Sequence, residues 1–380
     1  MDFSFTEEQK MLRATVRDFA NKELEPIAAK IDETMDFPWE SVRKMAELGL
    51  PGVPFPEEYG GSGGGPIEFT IVVEEISRVC AASALTYICV GLAGKPLFKF
   101  ANEEQRHRLI TPVAKGEKLI CFALTESGAG SDATAIQSTA TRQKGGYAIN
   151  GTKIFITNGG VADIAVVFAT LDKSLRHKGI TAFVVEKGMA GFSVGKWEHK
   201  LGVRASSTAE LIFQDCFIPE ANRLGKEGEG FNIAMFGIDS SRVSVAAQAL
   251  GIAQGAFDKA LAYAKERQQF GQPIINFQAI QWTLADMATQ IEAARLLTYQ
   301  AAYLDQNHLP FVKESCMAKV FAPQVALFVT NKAIQIYGGY GYVKDYPLER
   351  YFRDARICSI YEGTDEMQQM TIARHLMRQG

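Results

Sequence analysis

The sequence predicts an α+β chain, mainly α, with a helical N-terminal domain at 1–118, a middle antiparallel β domain at 119–225 and a C-terminal helical bundle at 226–380. Three observations carry this expectation. Apolar residues recur at helical spacing near the start; short β-branched and aromatic runs parted by tight-turn dipeptides fill the middle; and long helical patterns return from Gly230 onward.

The N-terminal domain opens at Thr6, which with Gln9 makes a capping box, and Met11, Leu12, Val16, Phe19 and Leu24 follow at near-helical spacing. Pro38 and Trp39 open a second amphipathic helix ending near Gly49, and Pro and Gly punctuation from Pro51 to Pro66 precedes further helices. The cluster GGSGGG is not followed by Lys and then Ser or Thr, so it reads as a turn and not a phosphate loop. The uncharged run Val79 to Gly94 falls short of the ~20 residues of a bilayer span and reads as a buried helix. In the middle, LICFAL, YAINGTKIFIT, DIAVVFAT, GITAFVVE and AELIFQDCFI supply strands, with Gly145–Gly146 and Asn150–Gly151 as turns. No strand, GxGxxG, helix unit occurs, which disfavours a Rossmann fold, and no parallel sheet is expected. The clearest later helices are Arg242 to Arg267, Gln278 to Leu304 and Pro310 to Tyr337.

Bulk properties narrow the function. A net charge of −3 and a pI near 6.1 give no broad attraction to nucleic acid or to an anionic membrane. The six cysteines form no CxxC pair, so neither a zinc site nor a disulfide framework is expected, and a reducing, cytoplasmic setting is the simplest reading. The start, MDFSFTEEQKML, has neither the basic and apolar stretches of a signal peptide nor the acid-poor character of a transit peptide. None of the five histidines shows ligand spacing, each sits in a polar context, and no metal is expected.

Three segments have residues suited to chemistry. LTESGAGSD (124–132) ends a strand in a Gly-rich, hydroxyl-bearing loop; IYGGYGY (336–342) follows a long helix; IYEGTDE (360–366) places Glu362 after apolar Cys358 and Ile360. Desolvation by such neighbours raises a carboxylate's pKa and makes it a usable base near neutrality. Taken singly, these segments read better as a plain loop, a helix stop and a surface or capping glutamate.

In order, FALTESGAGSD (122–132), KIFITNG (153–159), KLGVRASST (200–208), DSSR (239–242), ERQQFGQPI (266–274), QIYGGYGY (335–342) and RDARICSIYEGTDEMQ (353–368) resemble the acyl-CoA dehydrogenase family over essentially the whole chain. The resemblance implies noncovalent FAD and an acyl-CoA substrate. It implies that Phe122, Leu124 and Thr125 lie along the flavin, with Thr125 on its polar edge, and that Ser131 contacts substrate or cofactor phosphate. Phe155 and Thr157 match the pair that shields and bonds the ring, although many members have Trp at the first place. Arg267, Phe270 and Gln278 match the pyrophosphate and adenosine contacts, and Gln335, Gly338 and Gly339 would serve from a neighbouring subunit of a homotetramer built as a dimer of dimers. Asp239 and Arg242 match contacts to the CoA arm, Tyr361 and Gly363 flank the base, and Thr364 and Glu366 match late FAD contacts.

In this family the thioester oxygen is held by the backbone N–H of the catalytic glutamate and a ribityl hydroxyl. Glu362 would take the α-proton while flavin N5 accepts the β-hydride, and electron-transferring flavoprotein would collect the electrons. Ser241 occupies the alternative base position of some members, where a hydroxyl cannot serve. VAAQALGIAQ (245–254) looks most like short-chain, butyryl-type members, but linear, branched and cyclic acyl groups stay open. An enoyl-CoA reductase working in reverse stays open too, while 380 residues argue against the generally much longer oxidases and Glu362 in an intact YEGT context argues against a noncatalytic acyl-CoA or flavin-binding scaffold.

Overall fold

The computed structural model describes residues 4–378; the first three and last two residues, including the start of the segment read for a leader, lie outside them. Helix α1 (Glu7–Phe19) begins with the expected box: Thr6 Oγ1 accepts the Gln9 N–H and Gln9 Oε1 accepts the Thr6 N–H. A π turn, Ala20–Leu24, joins it to α2 (Glu25–Thr34), and α3 (Trp39–Glu47) follows. The next helix, α4 (Pro66–Ser77), is buried on nearly all sides and holds two buried carboxylates. Glu75 is paired with Arg13 and Arg17 of α1.

Helix α5 (Ala81–Cys89) continues through a π turn, Val90–Gly94, into α6 (Lys95–Phe100). Pro96 has no N–H to give the Leu92 carbonyl, which favours the wider turn there. This corrects one expectation. By length and composition Ala81–Phe100 is sufficient for a bilayer span, because the helix continues past Lys95; in the fold, 89% of its most apolar window is buried inside the protein. The short helices α7 (Glu103–Gln105) and α8 (Thr111–Ala114) lead to the sheet.

The sheet comprises β1 (Ile120–Ala123), β2 (Thr139–Gln143), β3 (Gly146–Thr157), β4 (Ile164–Thr170), β5 (Ile180–Glu186), β6 (Phe192–Trp197), β7 (Thr208–Pro219) and β8 (Arg223–Leu224). Its path runs β6-β7-β3-β2-β4-β5-β8, with β1 beside β4. Most pairings are antiparallel, but β1 runs parallel to β4, Ile120 opposite Ile164 through Ala123 opposite Val167, and β2 meets β4 in parallel at Thr139 and Thr170. The expectation of no parallel pairing fails here because β1 arrives from the helical domain by a crossover, which leaves no hairpin dipeptide to read. All of β4 is buried: Ala165, Val167 and Ala169 face the sheet's own core, while Ile164, Val166 and Phe168 join the helical core. That alternation clamps β1 between the domains.

The C-terminal bundle is formed by α9 (Gly230–Glu266), α10 (Gln278–Gln306) and α11 (Val312–Tyr337), followed by α12 (Leu348–Ala355) and α13 (Asp365–Met377). Gly255 lets α9 cross α4 closely, since a Cβ there would meet the Arg78 carbonyl oxygen at 2.0 Å. Buried Glu74 of α4 is paired with Arg295 and accepts the Tyr299 hydroxyl, both on α10, so one short helix ties the two helical domains together.

Candidate active site

Strand β3 has a bulge: its register with β7 shifts between Lys153 and Ile156, and Phe155 takes a φ of +57°. A bulge re-aims one side chain out of the ladder. Phe155 stands 60% exposed beside buried Ile156. The Ile154 N–H donates to the Thr125 carbonyl at 2.9 Å, which holds the end of β1 beside Phe155 and Thr157.

Beneath this surface Lys153 is fully buried, its Nζ donating to the Leu124 carbonyl at 3.0 Å and to Glu126 Oε1 at 2.7 Å. Glu126 also accepts the backbone N–H groups of Gln137 and Ser138. Burial presses Lys153 down to about 8 against the pull of Glu126. The Glu126 carboxyl is pushed up by burial, but Lys153 and its other donors leave it below the usual range. The Thr125–Asp132 loop is thus pinned from inside, with Gly128, Gly130 and Ser131 on its exposed side.

The Phe122 ring lies against Gly237 of α9. Cys89 of α5 reaches the Thr157 carbonyl at 3.9 Å and is close enough to Glu362 for its thiol to be raised by that charge as well as by burial. Glu362 occupies the turn before α13 with a φ of +54°, and Gly363 follows at +91°. A non-glycine residue persists in that region only where its surroundings hold it. Here Lys319 Nζ donates to the Gly363 carbonyl at 2.6 Å, and Gln368 Nε2 donates to the carbonyls of Glu362 and Gly363, each at 3.0 Å. The Tyr361 hydroxyl donates to Gln248 Oε1, and Gln248 Nε2 donates to the Ala81 carbonyl at 3.0 Å. The Glu362 N–H has no partner among the described residues.

Glu362 is half-buried as a residue, and the packing around its carboxyl pushes the pKa up to about 7, with Lys319, Arg242 and the Ser241 hydroxyl pulling it down. Arg242 Nη1 donates to Asp239 Oδ1 at 2.6 Å and to Cys316 Sγ at 3.4 Å. Its Nε is buried without a hydrogen-bond partner. Buried polar atoms are normally satisfied, so such an orphan marks a place for a polar ligand.

The remaining sequence candidates lie elsewhere. Arg267, Gly338, Gly339, Tyr263 and Tyr346 line a cleft of ≈690 Å³ at the C-terminal end of α9. Beside it, the hairpin Gln268–Gln269 with Gln272–Pro273 turns at Phe270 and Gly271, both with positive φ, and Phe270 is 92% exposed. Such a turn normally takes Asn-Gly, so an exposed Phe there has some other reason to be kept. Gln278 and Gln335 are also exposed, while Thr364 and Glu366 open α13 next to the base. At ~1.5 Å per residue, Arg267 lies roughly 37 Å along α9 from Arg242. Arg267 lies with the Gly338–Gly339 corner in one cleft.

The sequence reading missed Lys153, Gln248, Lys319 and Gln368. Each sits in an apolar run or on an inward helix position where a polar residue is out of place, and that was the available signal. The five histidines are exposed or half-buried, and no group of three or more His, Cys, Asp or Glu is placed to hold a metal among the described residues.

Comparison with known proteins gives three family matches in order: "Acyl-CoA dehydrogenase, N-terminal domain" over residues 6–117, "middle domain" over 121–216 and "C-terminal domain" over 228–377. A short-chain specific acyl-CoA dehydrogenase of Clostridium acetobutylicum is 51% identical over 100% of both chains. An NADH acryloyl-CoA reductase of Anaerotignum propionicum is 52% identical over 100% of this chain and 96% of its own. Among solved structures, a chain from one describing the electron-transferring flavoprotein of Acidaminococcus fermentans is 49% identical and matches 100% of each chain with a TM-score of 0.98.

Proposed function

Because the chain belongs to the acyl-CoA dehydrogenase family, we propose that it dehydrogenates a short acyl-CoA across Cα–Cβ to the trans-2-enoyl-CoA, with Glu362 as the base that takes the α-proton. Members of the family depend on FAD, and this chain is a flavoprotein oxidoreductase. The observation that carries the reading is Glu362 itself: a carboxyl with a pKa of about 7, held in a left-handed turn by Lys319 and Gln368.

The residues fit the cofactor. Phe155 offers an exposed ring beside Thr125 and Thr157, whose hydroxyls suit the polar edge of a flavin, with Phe122 and Leu124 beneath. When bound, FAD supplies the two-electron acceptor for the hydride leaving the β-carbon. The Glu362 N–H accepts no duty within the fold and is assigned to the thioester carbonyl oxygen, so that charge building on that oxygen is met as the α-proton leaves. Ser131, Asp239 and Arg242 hold the CoA arm, Arg242 with its unpaired Nε, while Tyr361 and Gly363 border the acyl group.

The remaining candidates serve the adenosine half of a neighbour's FAD. Arg267 lines one cleft with the Gly338–Gly339 corner, which supports their serving one site together, and Arg267, Phe270, Gln278, Gln335, Gly338 and Gly339 are assigned to the site of another copy. Thr364 and Glu366 contact the chain's own FAD. A homotetramer, as a dimer of dimers, follows as the assembly. Arg267→Glu, far from the base, is expected to purify with well under one FAD per chain while its secondary structure is unchanged; a monomer retaining full FAD would contradict the shared site.

Gln248, fully buried, bridges the Ala81 carbonyl to the Tyr361 hydroxyl beside the base, and the short-chain specific relative supports a short acyl chain. In a panel of acyl-CoAs with an artificial acceptor, kcat/KM is expected to fall by at least about tenfold from butyryl to octanoyl. Equal values for both would overturn the short-chain assignment. The physiological acceptor is electron-transferring flavoprotein, in line with the neighbour from Acidaminococcus fermentans. The acryloyl-CoA reductase relative favours a second reading, in which the same residues reduce an enoyl-CoA and Glu362 gives back the proton. All six cysteines are buried free thiols, which supports a reducing, cytoplasmic setting.

A further inference from the structure

We infer that Lys319 is a positioning residue for the base: its ammonium, sealed beneath the Glu362–Gly363 turn, fixes that turn through the Gly363 carbonyl and holds a positive charge under the carboxyl. This rests on the assignment of Glu362 above. The side chain of Lys319 is fully buried, yet its three N–H groups make one hydrogen bond, 2.6 Å to the Gly363 oxygen. Its partner carboxylate, Asp365, stays 3.6 Å away with Oδ1 unbonded. A buried ammonium is costly unless well paired, and an apolar residue at this site would pack with no such cost. The incomplete pairing and the location under the strained turn together point to a role toward Glu362.

The charged and titratable groups around Glu362 come from every element packed on it: Lys319 from α11, Arg242 with its partner Asp239 from α9, Cys89 from α5, Cys358 and Tyr361 from its own segment, and Asp365 from α13. Burial raises Glu362, and Lys319 is the foremost influence opposing it. The sign follows. Removing the Lys319 charge strengthens proton binding at Glu362, so less base is ionised at pH 7 and the rate recovers only at higher pH. Removing the Asp365 charge leaves Lys319 less neutralised and acts the other way.

The test is single-turnover flavin reduction by butyryl-CoA in the FAD-loaded oligomer between about pH 6 and 9. Lys319→Met is expected to move the profile alkaline by roughly one unit or more and to lower its plateau, because the turn loses its clamp. Lys319→Gln keeps a donor for Gly363 and is expected to shift the profile equally while recovering much of the plateau. Asp365→Asn is expected to shift it toward acid. Lys319 variants slowed by one factor at every pH, or an Asp365→Asn profile that moves alkaline, would overturn the inference. If Glu362→Gln itself reduced flavin at the wild-type rate, the failure would lie with the base assignment instead.

Discussion

Replacing Glu362 with Gln leaves acyl-CoA binding intact and slows flavin reduction by at least ~10²- to 10⁴-fold, the usual loss when a general base is removed. The amide preserves size and hydrogen bonding, so the turn held by Lys319 and Gln368, both of which bond backbone carbonyls there, has no reason to move. A shift of the bound flavin's spectrum on adding acyl-CoA provides the binding control. Glu362→Asp keeps a carboxylate about one methylene short of its target, and a misplacement of ~1 Å can cost ~10²-fold. The same substitution has a stability signature. A carboxyl whose folded pKa is about 7, above its unfolded value, lets the native state hold a proton that the unfolded chain has released. Wild-type stability therefore falls as pH rises from the unfolded pKa to about 7 and stays low above it. Glu362→Gln removes that penalty and should be ~1–3 kcal/mol more stable at pH 8 and no more stable at pH 4.

The second large effect is expected at the pinned loop. Lys153→Met strands the Glu126 carboxylate in a buried site, and breaking a buried pair by removing one partner costs ~3–5 kcal/mol. Leu124 loses the donor on its carbonyl at the same time, so the loop carrying Thr125 loosens and FAD retention drops. Lys153→Met with Glu126→Gln leaves no bare charge and should recover part of both losses, a coupling read from the thermal midpoint and the FAD content of the four proteins. Strictly additive losses would mean that the pair does not act as a unit. In the single variant Glu126 binds its proton more tightly folded than unfolded, so its deficit shrinks as pH is lowered.

Much of the fold was legible because it is written in local periodicity. The helices from Gln278 and to Tyr337 show a 3.6-residue pattern over many turns, the Thr6–Gln9 box marks an N-terminus within four residues, and the runs around Gly145–Gly146 announce strands. What escaped was set by distant partners. The parallel placement of β1 depends on β4, more than forty residues later, and no dipeptide reports it. Glu362 could be singled out only as a carboxylate in an apolar context, and the ordered motifs around it gave that choice its meaning. Lys319 in MAKVFA is a lone charge among apolar residues, and its reason appears only when α11 is seen to carry it under a carbonyl 44 residues away. Gln248 in VAAQAL is likewise explained only by Ala81 and Tyr361.

The most direct test of the account is an anaerobic titration of the FAD-loaded protein with butyryl-CoA, following the flavin absorbance and the acyl product together. The expected result is bleaching within the first turnover, with trans-2-enoyl-CoA formed in the amount of flavin reduced, and neither change in Glu362→Gln. A flavin that stays oxidised while butyryl-CoA demonstrably binds, or one that bleaches equally in Glu362→Gln, would contradict the claim that this chain removes an α-proton with Glu362.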